Sequence, residues 1–217
     1  DKKVRTLDLS RKALGFVSAI FIGTLLSGNT FITELILHSN DLTATGATIV
    51  VKQLSNNLKT LDIANVVRLE DRTKGDKKAE SRKSTTGKTL SADIPPQQLD
   101  TLWSAVTSLG TLDKLTMDRD HLKNLNSLGR LLSLKTLSVS NNKLALIPDD
   151  INLIRGLKQL SLLGNQLREL NSAVGELEGL EKLDVRSNQL RFLPASISRL
   201  RNLKQLDASE NLLVTLE

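Results

Sequence analysis

Few residues in this 217-residue chain have the type and spacing that chemistry requires. It contains no cysteine, which excludes a thiol nucleophile, a thiolate-ligated metal and a disulfide framework. Imidazole is confined to His38 and His121, far apart in sequence and outside any H-E-x-x-H or Ser/His/Asp spacing. Each is expected to be a solvated or structural side chain, and the two to lie too far apart to share a metal. Gly87-Lys88-Thr89 matches the tail of a phosphate-binding loop. The full pattern needs glycine at position 82, where Arg82 stands, and a preceding hydrophobic strand is missing. Asp149-Asp150 offer paired carboxylates for acid–base work. Directly after Pro148, at the start of a helical turn, they are expected instead to cap exposed N–H groups and favour the turn's dipole. No catalytic residue, metal or cofactor is expected, and hence no enzyme.

The elements that would position any site are announced by composition. Leucine occurs 45 times, about a fifth of the chain, against 4 Phe, 1 Trp, 1 Met and no Tyr. One aliphatic residue supplying nearly the whole core suggests a small packing unit used many times. The apolar fraction of 39% and charged fraction of 25% belong to a globular chain, not a disordered one. No window approaches 18 uninterrupted apolar residues, no Asn-x-Ser/Thr sequon occurs, and Asp1-Lys2-Lys3 lead into an apolar pattern without a signal-peptide core. The expected location is the cytoplasm or nucleus. With no methionine at position 1 and no polar cap at either end, the chain is expected to be part of a longer one.

Self-comparison gives a period of 23 residues. The phrases LKTLSVSNNKL, LKQLSLLGNQL, LEKLDVRSNQL and LKQLDASENLL begin at Leu134, Leu157, Leu180 and Leu203. They share L-x-x-L-x-L-x-x-N-x-L, extended in two copies by Ile147-Pro148 to Ile151 and Leu193-Pro194 to Ile197. Alternating leucines place one face of a short strand in a core. Asn142, Asn165, Asn188 and Asn211 fall where the chain must turn, and a buried amide there both donates and accepts. Upstream, Leu112 to Leu122 is a copy with Asp120 for Asn. Ile32 to Leu42, Leu58 to Ile63 and Val4 to Leu9 are copies at longer spacing. Eight strands are expected, within residues 5–10, 33–38, 59–64, 113–118, 135–140, 158–163, 181–186 and 204–209. Lys12 and Val66 replace the ladder Asn, so the ladder should be interrupted in the first half.

These phrases resemble the leucine-rich repeat. The resemblance implies an α/β curved solenoid, with about eight parallel strands on the concave face and helices and 3₁₀ turns on the convex face. The longer repeats, with Gly46, Val50 and Leu54 at helical spacing, look like the ribonuclease-inhibitor-type subclass, which has full convex α-helices. The 23-residue copies look like a shorter subclass with 3₁₀ turns. Stability in such an array comes from stacking, since no unit buries its face alone.

Residues 68–89 break the pattern. They hold Leu69 as their only large apolar residue and carry eight Lys/Arg against four Asp/Glu, too little to offset ordering entropy. A mobile basic insertion in a single domain is expected. After Pro95-Pro96, Leu99, Leu102, Trp103, Val106 and Leu109 resume helical spacing, with Trp103 in the core.

Recurrence stacks the outward residues into columns. The column between the core leucines reads Asp8, Ile36, Asp62, Thr116, Ser138, Ser161, Asp184, Asp207. Beside it are expected Arg5, Thr33, Lys59, Asp113, Lys135, Lys158, Glu181, Lys204 and, on the other side, Ser10, His38, Ala64, Asp118, Ser140, Leu163, Arg186, Ser209. Such a face suits an extended partner, and by resemblance the family consists of protein-interaction modules. The expected function is a non-catalytic scaffold binding another protein through Lys135, Lys158, Leu163, Asp184, Arg186, Phe192, Lys204 and Asp207, with apolar Leu163, Phe192 and Leu146 inside a charged rim. Two alternatives stand beside it. One is a GTPase-activating module resembling the Ran-activating proteins; the other is polyanion binding through the basic insertion. Nucleic acid is not the expected partner, because the face lacks aromatic residues interleaved with basic ones.

Overall fold

A computed structural model describes residues 5–67 and 96–214. Its eight strands are β1 Thr6–Asp8, β2 Glu34–Ile36, β3 Thr60–Asp62, β4 Lys114–Thr116, β5 Thr136–Ser138, β6 Gln159–Ser161, β7 Lys182–Asp184 and β8 Gln205–Asp207. Each lies inside its expected segment. All pair in parallel and in chain order, with Leu7, Leu35, Leu61, Leu115, Leu137, Leu160, Leu183 and Leu206 in one register. Those leucines and the apolar residues two positions on point into a continuous core, which is fully closed from Leu35 to Val185 and looser at Leu7 and Leu206.

Repeat length decides what covers the other side of that core. The three long units carry α-helices: α1 Phe16–Leu26, α2 Thr43–Lys52 and α3 Pro96–Thr107. The shorter units have room only for 3₁₀ turns, at Leu128–Arg130, Asp149–Leu153, Ser172–Glu176 and Ala195–Arg199. Helix α2 stops two residues short of Leu54, and Trp103 is buried in α3 with its Nε1–H donating to the Asn126 carbonyl at 2.7 Å. A Cβ at Gly46 would lie 3.0 Å from that of Ala19, so glycine sets the close approach of α1 and α2. Stacked helices need about 8–10 Å each and strands only about 4.8 Å, which puts the sheet on the inside of the curve.

Every strand ends in the same strained turn. Arg11, Ser39, Asn65, Arg119, Asn141, Gly164, Ser187 and Glu210 all have φ between 52° and 68°, each just before the ladder position. The left-handed region costs a non-glycine residue about 1–2 kcal/mol, and only Gly164 adopts it freely. Glycine is doubly required there, because a Cβ would meet Asn141 Oδ1 at 2.5 Å.

The ladder amides hold these turns in place. Asn142 Oδ1 accepts from the N–H groups of Asp120 and Leu122, both at 3.0 Å, while its Nδ2 donates to the carbonyls of Met117 (2.8 Å) and Val139 (2.9 Å). One side chain therefore ties its own strand end to the preceding repeat. Asn40, Asn165, Asn188 and Asn211 do the same. Val66 breaks the series as a buried hydrophobe. Asp120 is fully buried and takes the N–H groups of Val66 and Val67 on Oδ1, but its Oδ2 has no partner among the described residues. Burial, with the neighbouring charge of Asp118 adding, pushes this carboxyl well above the usual range against the pull of the two N–H donors.

One expectation is corrected. Asp149 and Asp150 open a 3₁₀ turn, yet neither side chain caps it. Asp149 instead accepts from the Asn171 amide one repeat on, and it is Asn171 that caps its own turn, accepting from Ala173 N–H at 2.8 Å. Turns this short expose few N–H groups, and the neighbouring amide is the nearer donor. The expected insertion, residues 68–89, lies outside the described residues.

Two stability outcomes follow. Asn165→Ala should cost about 1–3 kcal/mol in urea denaturation, because it strands buried backbone groups in two repeats. Asp120→Asn should stabilise the chain at pH 7, since an amide supplies the donor that an ionised carboxylate lacks. Burial raises the folded Asp120 carboxyl above its unfolded value, so wild-type stability is greatest below the unfolded value and falls as pH rises towards the folded one. Melting curves should accordingly show the advantage of Asp120→Asn shrinking as pH is lowered towards 4.

Candidate functional site

The open face of the sheet is built from the two outward residues of each three-residue strand. The third positions align as Asp8, Ile36, Asp62, Thr116, Ser138, Ser161, Asp184 and Asp207, the column expected between the core leucines. The first positions align as Thr6, Glu34, Thr60, Lys114, Thr136, Gln159, Lys182 and Gln205. This second inner column is missing from the sequence reading, which put Lys135, Lys158 and Lys204 there. Those lysines stand one residue earlier, at the rim. Counting back by two from Leu137, Leu160 and Leu206 lands on those lysines, whereas the alternation of the strand gives the residues one before each core leucine, Thr136, Gln159, Lys182 and Gln205, as the outward neighbours.

Over β5–β8 the face sinks into a depression of about 360 Å³, lined by Thr136, Ser138, Gln159, Ser161, Lys182, Asp184, Arg186, Gln205 and Asp207. On one side a hydroxyl chain runs to a carboxylate. Ser161 Oγ lies 2.8 Å from Ser140 Oγ, which lies 3.3 Å from Ser138 Oγ, and Ser138 donates to Asp118 Oδ1 at 2.7 Å. The same Oδ1 accepts the Ser140 N–H at 2.7 Å. Desolvation raises the Asp118 carboxyl from its usual value, opposed by these two donors. On the other side Arg186 is clamped. It makes a two-pronged contact with Asp184 at 3.0 and 2.8 Å and reaches Asp207 at 3.3 Å. Asp207 is held below the usual carboxylate range by the hydroxyl and N–H of Ser209.

Of the residues expected to bind, Asp184, Arg186 and Asp207 thus come together in one cluster. Leu163, half-buried, follows Ser140 and precedes Arg186 in the flanking column. Phe192, 38% exposed, lies in the loop after β7 and lines none of the depression. The rim lysines are committed to neighbouring repeats: Lys135 to Asp113 at 3.8 Å, and Lys158 and Lys204 to Glu181 at 3.6 and 2.6 Å. Lys204, with Lys158 assisting, holds Glu181 below the ordinary carboxylate range. His38 lies on the open face beside Ser39, its Nδ1 3.2 Å from the hydroxyl. Among the described residues no three His, Asp or Glu gather as metal ligands would.

Comparison with known families agrees with the repeat geometry. Residues 155–213 match one leucine rich repeat family and residues 133–153 match another. Within residues 133–213 the chain carries leucine-rich repeats. Among solved structures, a leucine-rich repeat protein of Leptospira interrogans superposes with a TM-score of 0.60 at 26% identity, over 98% of this chain and 50% of that one. Internalin C2 of Listeria monocytogenes gives 0.63 at 16% identity, over 98% and 74%. The ectodomain of the Arabidopsis receptor kinase HAESA, solved with a peptide hormone ligand, gives 0.57 at 24% identity, over 85% and 26%. The chain spans half the length of the Leptospira protein. A comparison with curated proteins finds no match.

Two other surfaces of the repeat array stand out. A polar depression of about 500 Å³ on the 3₁₀ side is lined by Arg155, Arg199 and Arg201, with Glu176 and Glu178 between them. At the first repeat, Phe16, Val17, Ile20, Phe21 and Leu25 leave the outer side of α1 apolar and exposed. Among the described helices, none is long and apolar enough to cross a membrane.

The hydroxyl network separates two roles for Asp118. Asp118→Asn keeps the accepting oxygen and should leave stability nearly unchanged. Asp118→Ala removes it and should cost about 1–2 kcal/mol, as read from urea midpoints.

Proposed function

We propose that this chain is a non-catalytic protein-interaction scaffold whose partner seats in the depression over β5–β8 and on the rim beside it. The observation that carries this is the depression itself, a concave polar surface held rigid by the Asp118 hydroxyl chain and the Asp184–Arg186–Asp207 clamp. A surface whose groups are already fixed loses little entropy when a partner docks. Leu163 beside Arg186, and the exposed Leu146 and Phe192 in the loops below, supply apolar contact around it. Such a mixture of apolar anchors and polar rim is typical of protein interfaces. Catalysis, a metal and a cofactor have no part in this function.

Affinity purification followed by identification of the retained proteins supplies a partner for the test. Ser161→Arg, which fills the depression, should abolish binding of that partner while the chain still unfolds in one cooperative transition. Phe192→Ala combined with Leu163→Ala should weaken it by about 2 kcal/mol, the scale of an interface hot spot. A partner that binds both variants with wild-type affinity seats elsewhere, and the proposal fails.

A further inference from the structure

Hydrogen-bonding capacity is spent unevenly across the open face. The rim lysines are paired with Asp113 and Glu181. Over β5–β8 the third-position column is spent as well: Ser138 and Ser161 belong to the chain ending on Asp118, and Asp184 and Asp207 hold Arg186. The first-position column differs. From β4 to β8 it reads Lys114, Thr136, Gln159, Lys182, Gln205, aligned residue by residue across adjacent strands. Thr136 is half-buried and the other four are exposed. Among the described residues, none of these five side chains has a hydrogen bond or ion pair to the protein.

All five side chains can donate a hydrogen bond, and none is a carboxylate. Four of them line the depression or its wall, and Lys114 stands on the next strand. A partner can therefore bring an acceptor to every position of this column, and at Lys114 and Lys182, whose ammonium groups only donate, it must. Lys114 and Lys182 are three strand steps apart, roughly 14 Å. Four residues of extended chain cover about the same span and return to the same face.

We infer that the column Lys114–Thr136–Gln159–Lys182–Gln205 recognises an acidic, extended segment of a partner protein, one carboxylate seated on Lys182 and a second, four residues away, on Lys114. Gln159 and Gln205 flank Lys182 and offer amide donors to the same carboxylate or to the carbonyls beside it. Thr136 and Gln159, between the lysines, match an uncharged residue at the middle of the segment. The inference rests on the proposed concave-face function and names the chemistry of its partner.

The test uses the whole chain, immobilised, and a phage-displayed library of random dodecapeptides. Selected peptides are synthesised and their affinities measured by fluorescence anisotropy at low and high salt. The expected peptides are rich in Asp and Glu, with pairs four residues apart, and bind more weakly as salt rises. Lys182→Met should weaken them about tenfold or more and Lys114→Met by a smaller factor, as loss of a charge partner does. Selection against Lys182→Glu should no longer enrich acids. Thermal melting of each variant checks that these exposed substitutions leave the fold intact.

Peptides that are lost with Ser161→Arg yet show no acidic enrichment, or are indifferent to Lys182→Glu, overturn this inference and leave the concave-face function standing. Peptides indifferent to Ser161→Arg, or a library without any binder, overturn both.

Discussion

The structure depends on one recurring obligation: each repeat must turn sharply after its strand without leaving backbone groups unpaired in the core. Seven non-glycine residues accept a left-handed conformation to make that turn. The strain persists because the next side chain over-determines the geometry. An asparagine at that position accepts from the turn of the preceding repeat and donates to two strand-end carbonyls, joining adjacent units at the point where each is weakest. The core leucines drive stacking but do not fix the turn. Buried burial energy is non-directional, whereas the amide specifies angle and register.

The departures from this device concentrate in the middle of the chain. The Val66 side chain offers no hydrogen bond, and Asp120 presents a carboxyl where its counterparts present an amide. Both belong to the junction between the third and fourth repeats, which flanks residues 68–95. Repeat length changes at the same junction, from units covered by α-helices to units covered by 3₁₀ turns. The core itself runs through without a break, from Leu61 and Ile63 to Leu115 and Met117. Apolar packing tolerates the change in ladder chemistry because it asks only for volume and exclusion of water.

The same contrast between directional and non-directional forces organises the open face. Its charged groups are mostly engaged with neighbouring repeats: rim lysines with rim carboxylates, Arg186 with two aspartates, serines with serines and Asp118. Repetition encourages this, since like positions recur one strand spacing apart and opposite charges at them meet. The first-position column from β4 to β8 escapes it because it contains no carboxylate to meet its lysines. The face therefore has its groups fixed where they are paired and leaves side-chain donors free where, among the described residues, they are not.

Much of this was legible in the sequence. The eight strands, their order, the inward leucines, the third-position column, the burial of Trp103 and the interruption of the ladder at Val66 all follow from a short pattern with a fixed period, because local alternation and repeat stacking obey the same rule in every unit. The cluster of Asp184, Arg186 and Asp207 was also within reach, as residues of one column and its neighbour. What only the tertiary structure decided is how groups are partnered. A repeat phrase places Lys135 and Lys182 on the same side of the molecule alike. Only the folded chain gives Lys135 to Asp113, leaves Lys182 without a partner among the described residues, and sends Asp149 to Asn171 instead of its own turn. Period fixes which face a residue occupies, but hydrogen bonds and ion pairs depend on distances of a few tenths of an ångström between different repeats, and those are set by stacking.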